Sequence, residues 1–585
     1  MDSVEQDTNQ GLVPSRRLLW ILAAVVLGVV VYVTGPRPWG QAAPTLLLER
    51  DEVELLTGVW PDDGVLTVAR DSGVTSLAEG GDDTYNDSQD EAAGAPAALL
   101  QLRPAAAWSA DRPARVCVQG GEGSETLRMV GADGRSTMLP ISRTVGEDGC
   151  AWAELRPPTH ARLALALMAF IVLLLVAEAI PLHLTALLVP VLVAGAGILN
   201  AKLALAPFFH PTIALFLAGF VISEALHQSG LDRLMALRLV RAAGHSPLRV
   251  FAALVASTAF LSLWMSNTAA MAVALPIVMA ATAPMRDDGF RRAMILACAY
   301  AATIGGIGSA IGTPSNPLAM AYLSQVRDEP VVFVDWFWFG LPFVVLFLPV
   351  MGAVVWGRAA RTVEQGAFAT AMQELDATDR RKGLSWTQWK VLAVFLGVIL
   401  LWFTEEYHGV EAGLCGLAGV VLLGTLNLLD RQTFRHISWE SLLIFGGGLC
   451  LGDALVASGA SDWIATRLAV LSVLPPNVAV GLVGVLTLVL SAVASNTAAA
   501  ATILPLTIPL ATVIGVNPTQ LIVTVAIASS IDFALVVGTP PTMIAYSTGL
   551  YTSGYIFRRG IVLDILGLAL LVLLLPLVWQ WSGML

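Results

Sequence analysis

From residue 161 onward the chain is a succession of apolar runs separated by short polar turns, and no other feature limits its fold so strongly. The runs lie at about 161–180, 183–199, 211–228, 250–284, 293–325, 336–357, 387–403, 411–428, 440–457, 477–512, 518–550 and 560–581. Crossing about 30 Å of hydrocarbon takes roughly 17–25 apolar residues in a helix. Backbone groups left unpaired in that medium are costly, so runs of this kind fold as helices. With 56% hydrophobic and 13% charged residues, an ordinary soluble protein is excluded. The fold class expected is an all-α polytopic membrane protein.

Two of the runs, 250–284 and 477–512, are too long for one crossing and polar in the middle. Each holds the same triplet, Ser266-Asn267-Thr268 in one and Ser495-Asn496-Thr497 in the other. The match extends to a serine four residues before (Ser262, Ser491), to Ala-Ala after, and to Leu275-Pro276 and Leu504-Pro505. Gly312-Thr313-Pro314 and Gly538-Thr539-Pro540 follow the triplets by 46 and 43 residues. The triplets are 229 residues apart, as are Gly230 and Gly459, and FLAGF (216–220) and FGGGL (445–449). The chain therefore contains a repeat.

Loop charge orients it, since Lys and Arg concentrate on the cytoplasmic side of short loops. If both triplet runs are re-entrant hairpins and the N-terminus is inside, nineteen Lys and Arg fall in inside loops. They sit at Arg16-Arg17, Arg233 to Arg249, Arg286 to Arg292, Arg358 to Lys390, Arg431 to Arg435 and Arg558-Arg559. Only Lys202, Arg327 and Arg467 fall in short outside loops. Making either run a crossing inverts everything after it and destroys the bias. The reading is eleven spans and two hairpins, with an odd number of crossings between the hairpins, so the repeat is inverted. Inverted repeats with broken helices are the plan of secondary transporters, with sites at the repeat interface.

The chain divides accordingly into 1–35 (cytoplasmic tail and first span), 36–158 (inserted domain) and 159–249 (scaffold helices of the first repeat). These are followed by 250–357 (its hairpin and transport helices), 358–386 (cytoplasmic linker), 387–476 (scaffold of the second repeat) and 477–585 (its hairpin and transport helices). The run Leu18–Thr34 is long for a cleaved leader and reads as a first span, although Gln41-Ala42-Ala43 offers small residues for cleavage. Residues 36–158 are rich in Asp, Glu, Gly and Pro, with short β-type stretches, and read as a small β-rich extramembrane domain. Its acidic 79–97 is a loop. Cys117 and Cys150 can form a disulfide there if the compartment is oxidising. Cys298, Cys415 and Cys450 lie in apolar runs as inert thiols.

A break at Ser-Asn-Thr exposes amides, carbonyls and side-chain oxygens. Hydroxyls, amides and helix N-termini suit an oxyanion, and carbonyl and hydroxyl oxygens suit Na⁺. Gly-Thr-Pro supplies a second break opposite each tip. One Ser-Asn-Thr in a membrane helix would ordinarily serve packing, and one Gly-Thr-Pro a kink. Two of each in register argue for a binding site. Gly306, Gly308 and Gly312 lack the strand–turn–helix setting of a phosphate loop. Among acids near membrane depth (Glu178, Glu224, Asp453, Asp532), Asp532 is the most prominent, six residues before Gly538, and is a candidate for proton coupling. His183, His210 and His227 fit interfacial positions rather than a metal site.

With these motifs, with AEAIPLHLTALLVPVLVAGAGIL (177–199) and with FGGGLCLGDAL (445–455), the chain resembles the divalent anion/sodium symporters, the dicarboxylate, citrate and sulfate carriers. The resemblance covers about 161–585 and the first span. It implies one Na⁺ site at Ser262, Ser266, Asn267 and Gly312, and another at Ser491, Ser495, Asn496 and Gly538. It implies an anion site at Ser266, Asn267, Thr268, Thr313, Pro314, Ser495, Asn496, Thr497, Thr539 and Pro540. It also implies a homodimer working by an elevator motion. Ser315-Asn316 stands where the family often has Pro-Asn, Pro541-Thr542 where Asn is often found, and 36–158 is outside the common pattern.

The function expected is Na⁺-coupled symport of a di- or tricarboxylate, a C4-dicarboxylate such as succinate first, across the plasma (inner) membrane. In this reading residues 36–158 and the C-terminus are extracytoplasmic. The candidate site has no cationic side chain, so cations and helix ends must balance the anion. The alternatives are a sulfate symporter, a Na⁺-independent dicarboxylate exchanger, or an anion-binding membrane sensor signalling through 36–158. No HExxH, GxSxG or buried Asp pair marks an enzyme, and nothing in a chain of net charge −11 points to nucleic acid.

Overall fold

The computed structural model describes residues 14–34, eight strands between 45 and 155, and 160–584 apart from 286–287, 328–330, 360–364, 379–382, 431 and 469–472. The tail 1–13, the acidic stretch 79–97 and parts of the linker 358–386 lie outside the described residues.

The chain falls into two units. One comprises Val29–Ala166 and Leu455–Trp463. Its strands are Thr45–Leu48 (β1), Val65–Val68 (β2), Ala98–Gln101 (β3), Ala114–Gln119 (β4), Leu127–Val130 (β5), Ser136–Leu139 (β6), Ile141–Val145 (β7) and Cys150–Leu155 (β8). They form two four-stranded sheets, β3-β1-β5-β6 and β2-β4-β8-β7, in which only the β2–β4 pair is parallel among the described strands. The β4–β8 register sets Cys117 opposite Trp152 and Cys150 opposite Gln119. The side chains of both cysteines lie outside the described ones.

In the other unit, Met1–Gly28, Leu167–Ala454 and Ile464–Leu585, the described residues form helices and their connections. Among the described residues, eight helices are long and apolar enough to cross a membrane, and seven apolar helices are shorter. Length alone therefore marks fewer crossings than the eleven expected: the helices Leu19–Tyr32, Ala161–Ala177, Leu182–Gly195 and Ala412–Thr425 are undivided but under 18 residues, and Gly-Pro or polar breaks shorten others. The run 250–284 becomes two 16-residue helices, Pro247–Ser262 and Asn267–Thr282. The run 477–512 becomes Pro476–Val493 and Asn496–Ile514, both within the eight. The run 293–325 divides into Asp288–Ile307 and Ser315–Leu323, and 518–550 into Pro518–Ala528 and Pro540–Ser547. Proline at the first position of the Pro247, Pro476 and Pro518 helices costs no hydrogen bond there.

Burial ranks these helices. In Asp288–Ile307, 89% of the apolar window is inside the protein, against 28% for Trp386–Phe403 and 33% for Pro476–Val493. The described core thus runs through the interrupted helices, where irregular backbone is sheltered by protein. The packing around them is reciprocal. Ser315–Leu323 packs on Asn496–Ile514 and Pro518–Ala528, while Pro540–Ser547 packs on Asn267–Thr282 and Asp288–Ile307. Each half places its post-break helix on the hairpin and pre-break helix of the other. Tyr300 and Phe533 join the halves as well, with rings edge to face at 5.2 Å and the Tyr300 hydroxyl donating to the Phe533 carbonyl at 3.1 Å.

Candidate functional site

Both triplets begin helices. Ser266 and Ser495 are N-caps with extended backbone (ψ 145° and 151°), and each hydroxyl oxygen accepts from the amide three residues on, Ala269 or Ala498, at 3.2 Å. That is the job serine does best at a helix start. Asn267 and Asn496 are then the first helical residues, and Thr268 and Thr497 the second. The four polar groups past the caps stand at the positive ends of helix dipoles, with unpaired amides beside them. Asn267 and Asn496 are half-buried, Thr268 is exposed, and Thr497 is buried.

Behind each tip the same oxygen cluster occurs. The Ser262 Oγ lies 2.7 Å from the Asn267 Oδ1 and 2.6 Å from the Ala302 carbonyl oxygen. The Ser491 Oγ lies 2.9 Å from the Asn496 Oδ1 and 2.5 Å from the Ser529 carbonyl oxygen. A hydroxyl carries one proton and can donate to one acceptor. With the amides oriented in this way, each cluster holds one acceptor oxygen more than it has protons. Such a gathering of neutral oxygens fits a hard cation. The Ala302 carbonyl lies in the C-terminal half of Asp288–Ile307, and the Ser529 carbonyl belongs to the C-cap of Pro518–Ala528, the negative end of that helix.

The first break closes on this cluster. A Cβ on Gly312 would strike the Gly306 carbonyl oxygen and come within 2.7 Å of that of Ser262, so only glycine lets the three strands of backbone converge. The Asn316 Nδ2 donates to the carbonyls of Gly306, Ile307 and Ser309 at 2.9, 3.3 and 2.6 Å and holds the break open. The Ser309 hydroxyl donates to the Leu263 carbonyl, tying the break to the hairpin turn. Thr313 is buried and Pro314 half-buried.

In the second break Thr542 stands where Asn316 does in the first, and its hydroxyl meets that of Thr539 at 2.9 Å. The backbone is held instead by Asp564, which accepts from the amides of Phe533 and Ala534 at 2.8 and 3.2 Å. Thr539 and Gly538 are buried and Pro540 is exposed. The two breaks touch through Ser315 and Ser529, whose hydroxyls lie 2.7 Å apart. Since the Ser529 carbonyl also accepts from Ser491, a polar chain runs from the first break to the second hairpin tip.

Sequence reasoning placed Ser262, Asn267, Gly312, Ser491 and Asn496 where the structure gathers oxygens. It did not find Ala302, Gly306 or Ser529, whose backbone carbonyls lie at these clusters, nor the Ser315–Ser529 contact. The signal for Ser315 was present as the departure from Pro-Asn, without a partner to explain it.

The pattern of the citrate transporter family (CitMHS) matches residues 172–505, more than half of the chain. An uncharacterized transporter of Haemophilus influenzae is 32% identical over 414 residues, covering 68% of this chain and 88% of its own. The chain belongs to the citrate transporter family. It is thus an integral membrane protein and a secondary transporter, not an enzyme, in accord with the resemblance to the dicarboxylate, citrate and sulfate carriers. The sodium-dependent dicarboxylate transporter SdcS of Staphylococcus saprophyticus is 30% identical over 434 residues, 68% of this chain and 82% of its own. Among solved structures, the YdaH transporter of Alcanivorax borkumensis aligns with 71% of this chain and 98% of its own at 16% identity and a TM-score of 0.46. The family match spans both triplets and the first break, and it leaves out 36–158 and the second Gly-Thr-Pro.

Proposed function

We propose that this citrate transporter family member carries a C4-dicarboxylate such as succinate into the cell together with Na⁺. The observation that carries the reading is the doubled cluster of serine, asparagine and carbonyl oxygens behind two helix N-termini. One Na⁺ is held by Ser262, Ser266, Asn267 and Gly312 with the Ala302 carbonyl, and another by Ser491, Ser495, Asn496 and Gly538 with that of Ser529. The anion lies between the tips, against Ser266, Asn267, Thr268, Thr313 and Pro314 of one half and Ser495, Asn496, Thr497, Thr539 and Pro540 of the other. Helix N-termini and neutral donors bind the carboxylates, and the cations supply the charge that no side chain of the site provides. A relative named as a sodium-dependent dicarboxylate transporter supports both the ion and the substrate class.

In this reading the two halves are inverted repeats, the hairpins enter from opposite sides, and two copies of the chain form a dimer in which the hairpin domains move as elevators. The N-terminus is cytoplasmic, and 36–158 and the C-terminus are extracytoplasmic, in the plasma (inner) membrane. The test is uptake by purified protein in liposomes, with succinate, fumarate, malate, citrate and sulfate offered in turn across a range of Na⁺ concentrations. Accumulation of a dicarboxylate only under an inward Na⁺ gradient is the expected result. Counterflow without Na⁺ would replace it by exchange, sulfate uptake alone would change the substrate, and no uptake of any of these anions would overturn it.

A further inference from the structure

The two candidate cation sites differ at one position. Six residues before the glycine of each Gly-Thr-Pro stand Gly306 in the first half and Asp532 in the second. The two have equivalent neighbours, the glycine of each Gly-Thr-Pro. Gly306 lies against Gly312, and a Cβ on Gly306 would strike the Asn267 amide oxygen. Asp532 lies against Gly538, and a Cβ on Gly538 would strike its carboxylate. The second half thus puts an acid where the first half has only backbone facing a cation ligand.

Asp532 has 0% exposure, and neither of its oxygens has a hydrogen-bond partner. The Leu535 amide approaches without closing a bond. Its neighbour Asp564 is also buried, but both oxygens of that carboxylate are occupied by the amides of Phe533 and Ala534. Asp564 accounts for the shape of the break, and Asp532 contributes no hydrogen bond to it. A carboxylate buried without a partner is strongly disfavoured, and buried acids are accordingly paired or bound to a cation. The Ser529 carbonyl, three residues before Asp532, already belongs to the oxygen cluster with Ser491 and Asn496.

We propose that Asp532 is an anionic ligand of the cation bound in the second half, so that the protein's two cation sites are unequal. The first is built from neutral oxygens of Ser262, Asn267 and backbone. The second adds a full negative charge to the equivalent set, and it therefore fills at lower cation concentration and before the first. The inference rests on the cation-coupled reading above and adds to it the identity and charge of one ligand.

The experiment is thermal unfolding of the purified full-length protein without anion, titrated with LiCl, NaCl or KCl against choline chloride at constant ionic strength. The variants are Asp532→Asn, Asp532→Gly (which reproduces the first half) and Ser262→Ala. A cooperative unfolding transition in choline identifies variants that fold, with the Asp532 substitutions expected at or above the wild-type midpoint there, since they remove an unpaired buried charge, and the two back each other up. In the wild type Na⁺ raises the midpoint. Both Asp532 substitutions move the half-effect concentration upward on the order of tenfold or more, the scale of losing one charged contact. Ser262→Ala leaves the low-concentration response in place. A Na⁺ response that is the same with and without the carboxylate overturns the inference and leaves Na⁺ coupling standing. An Asp532-dependent response to Li⁺ or K⁺ and not to Na⁺ upholds the carboxylate site and overturns Na⁺ coupling. No response of the wild type to any of the three overturns both.

Discussion

Ser262 and Ser491 each face two acceptors with one proton, and the surplus oxygen is the feature on which the proposed cation sites rest. Replacing either by alanine removes one donor oxygen and leaves the paired asparagine and carbonyl facing one another in a buried place, a loss of about 1–3 kcal/mol. Expected for Ser262→Ala or Ser491→Ala is a rise in the Na⁺ concentration for half-maximal uptake of roughly tenfold to a hundredfold. Asn267→Ala and Asn496→Ala go further, because in the proposed site each asparagine also faces the anion at its helix N-terminus, and both are expected to abolish Na⁺-driven succinate uptake in liposomes. Retained uptake in either asparagine variant would remove the triplets from the site.

At the scale of elements, the interrupted helices survive because particular side chains take up the backbone groups that the breaks release. Asn316 serves three carbonyls with one amide, so Asn316→Leu is expected to cost about 1–3 kcal/mol, read as a lower thermal midpoint. Asn316→Asp should cost more than the leucine variant, since it turns a donor into an acceptor aimed at three acceptors. An aspartate variant as stable as the wild type would show that the amide does not hold the break. Ser315 and Ser529 link the two breaks. A double-mutant cycle with alanine at each is expected to give a coupling of about 0.5–1.5 kcal/mol in stability, and no coupling would mean that the halves are not joined there.

At the scale of the molecule, each post-break helix packs on the other half, and the proposed inverted orientation predicts from which side each hairpin enters. Ser246, at the base of the first hairpin, and Asn477, at the base of the second, are both exposed. In a background with Cys117 and Cys150 replaced, Ser246→Cys is expected to react with a membrane-impermeant maleimide only from the cytoplasmic side, and Asn477→Cys only from outside. The remaining cysteines, Cys298, Cys415 and Cys450, are buried. Labelling of both from one side would refute the inverted repeat. Removing 36–158 is expected to leave Na⁺-driven uptake intact, since the family pattern begins at 172. Loss of uptake with retained anion binding would favour a sensor.

The helical membrane class, the doubled motifs and their 229-residue spacing are properties of composition and order, and they were legible in the sequence because apolar length and repetition are one-dimensional facts. So was a break at each Ser-Asn-Thr triplet, since a polar interruption of an apolar run is local; that Ser266 and Ser495 are the N-caps was seen in the structure. What depends on bringing distant segments together was not legible. The Ala302 and Ser529 carbonyls carry no side-chain signature, and the Ser315–Ser529 contact joins residues 214 apart. Asp532 belongs to both categories. Its presence six residues before Gly538 was visible in the chain, but only the tertiary structure left its carboxylate buried beside that glycine with no hydrogen-bond partner, because only packing decides which polar groups lose their water.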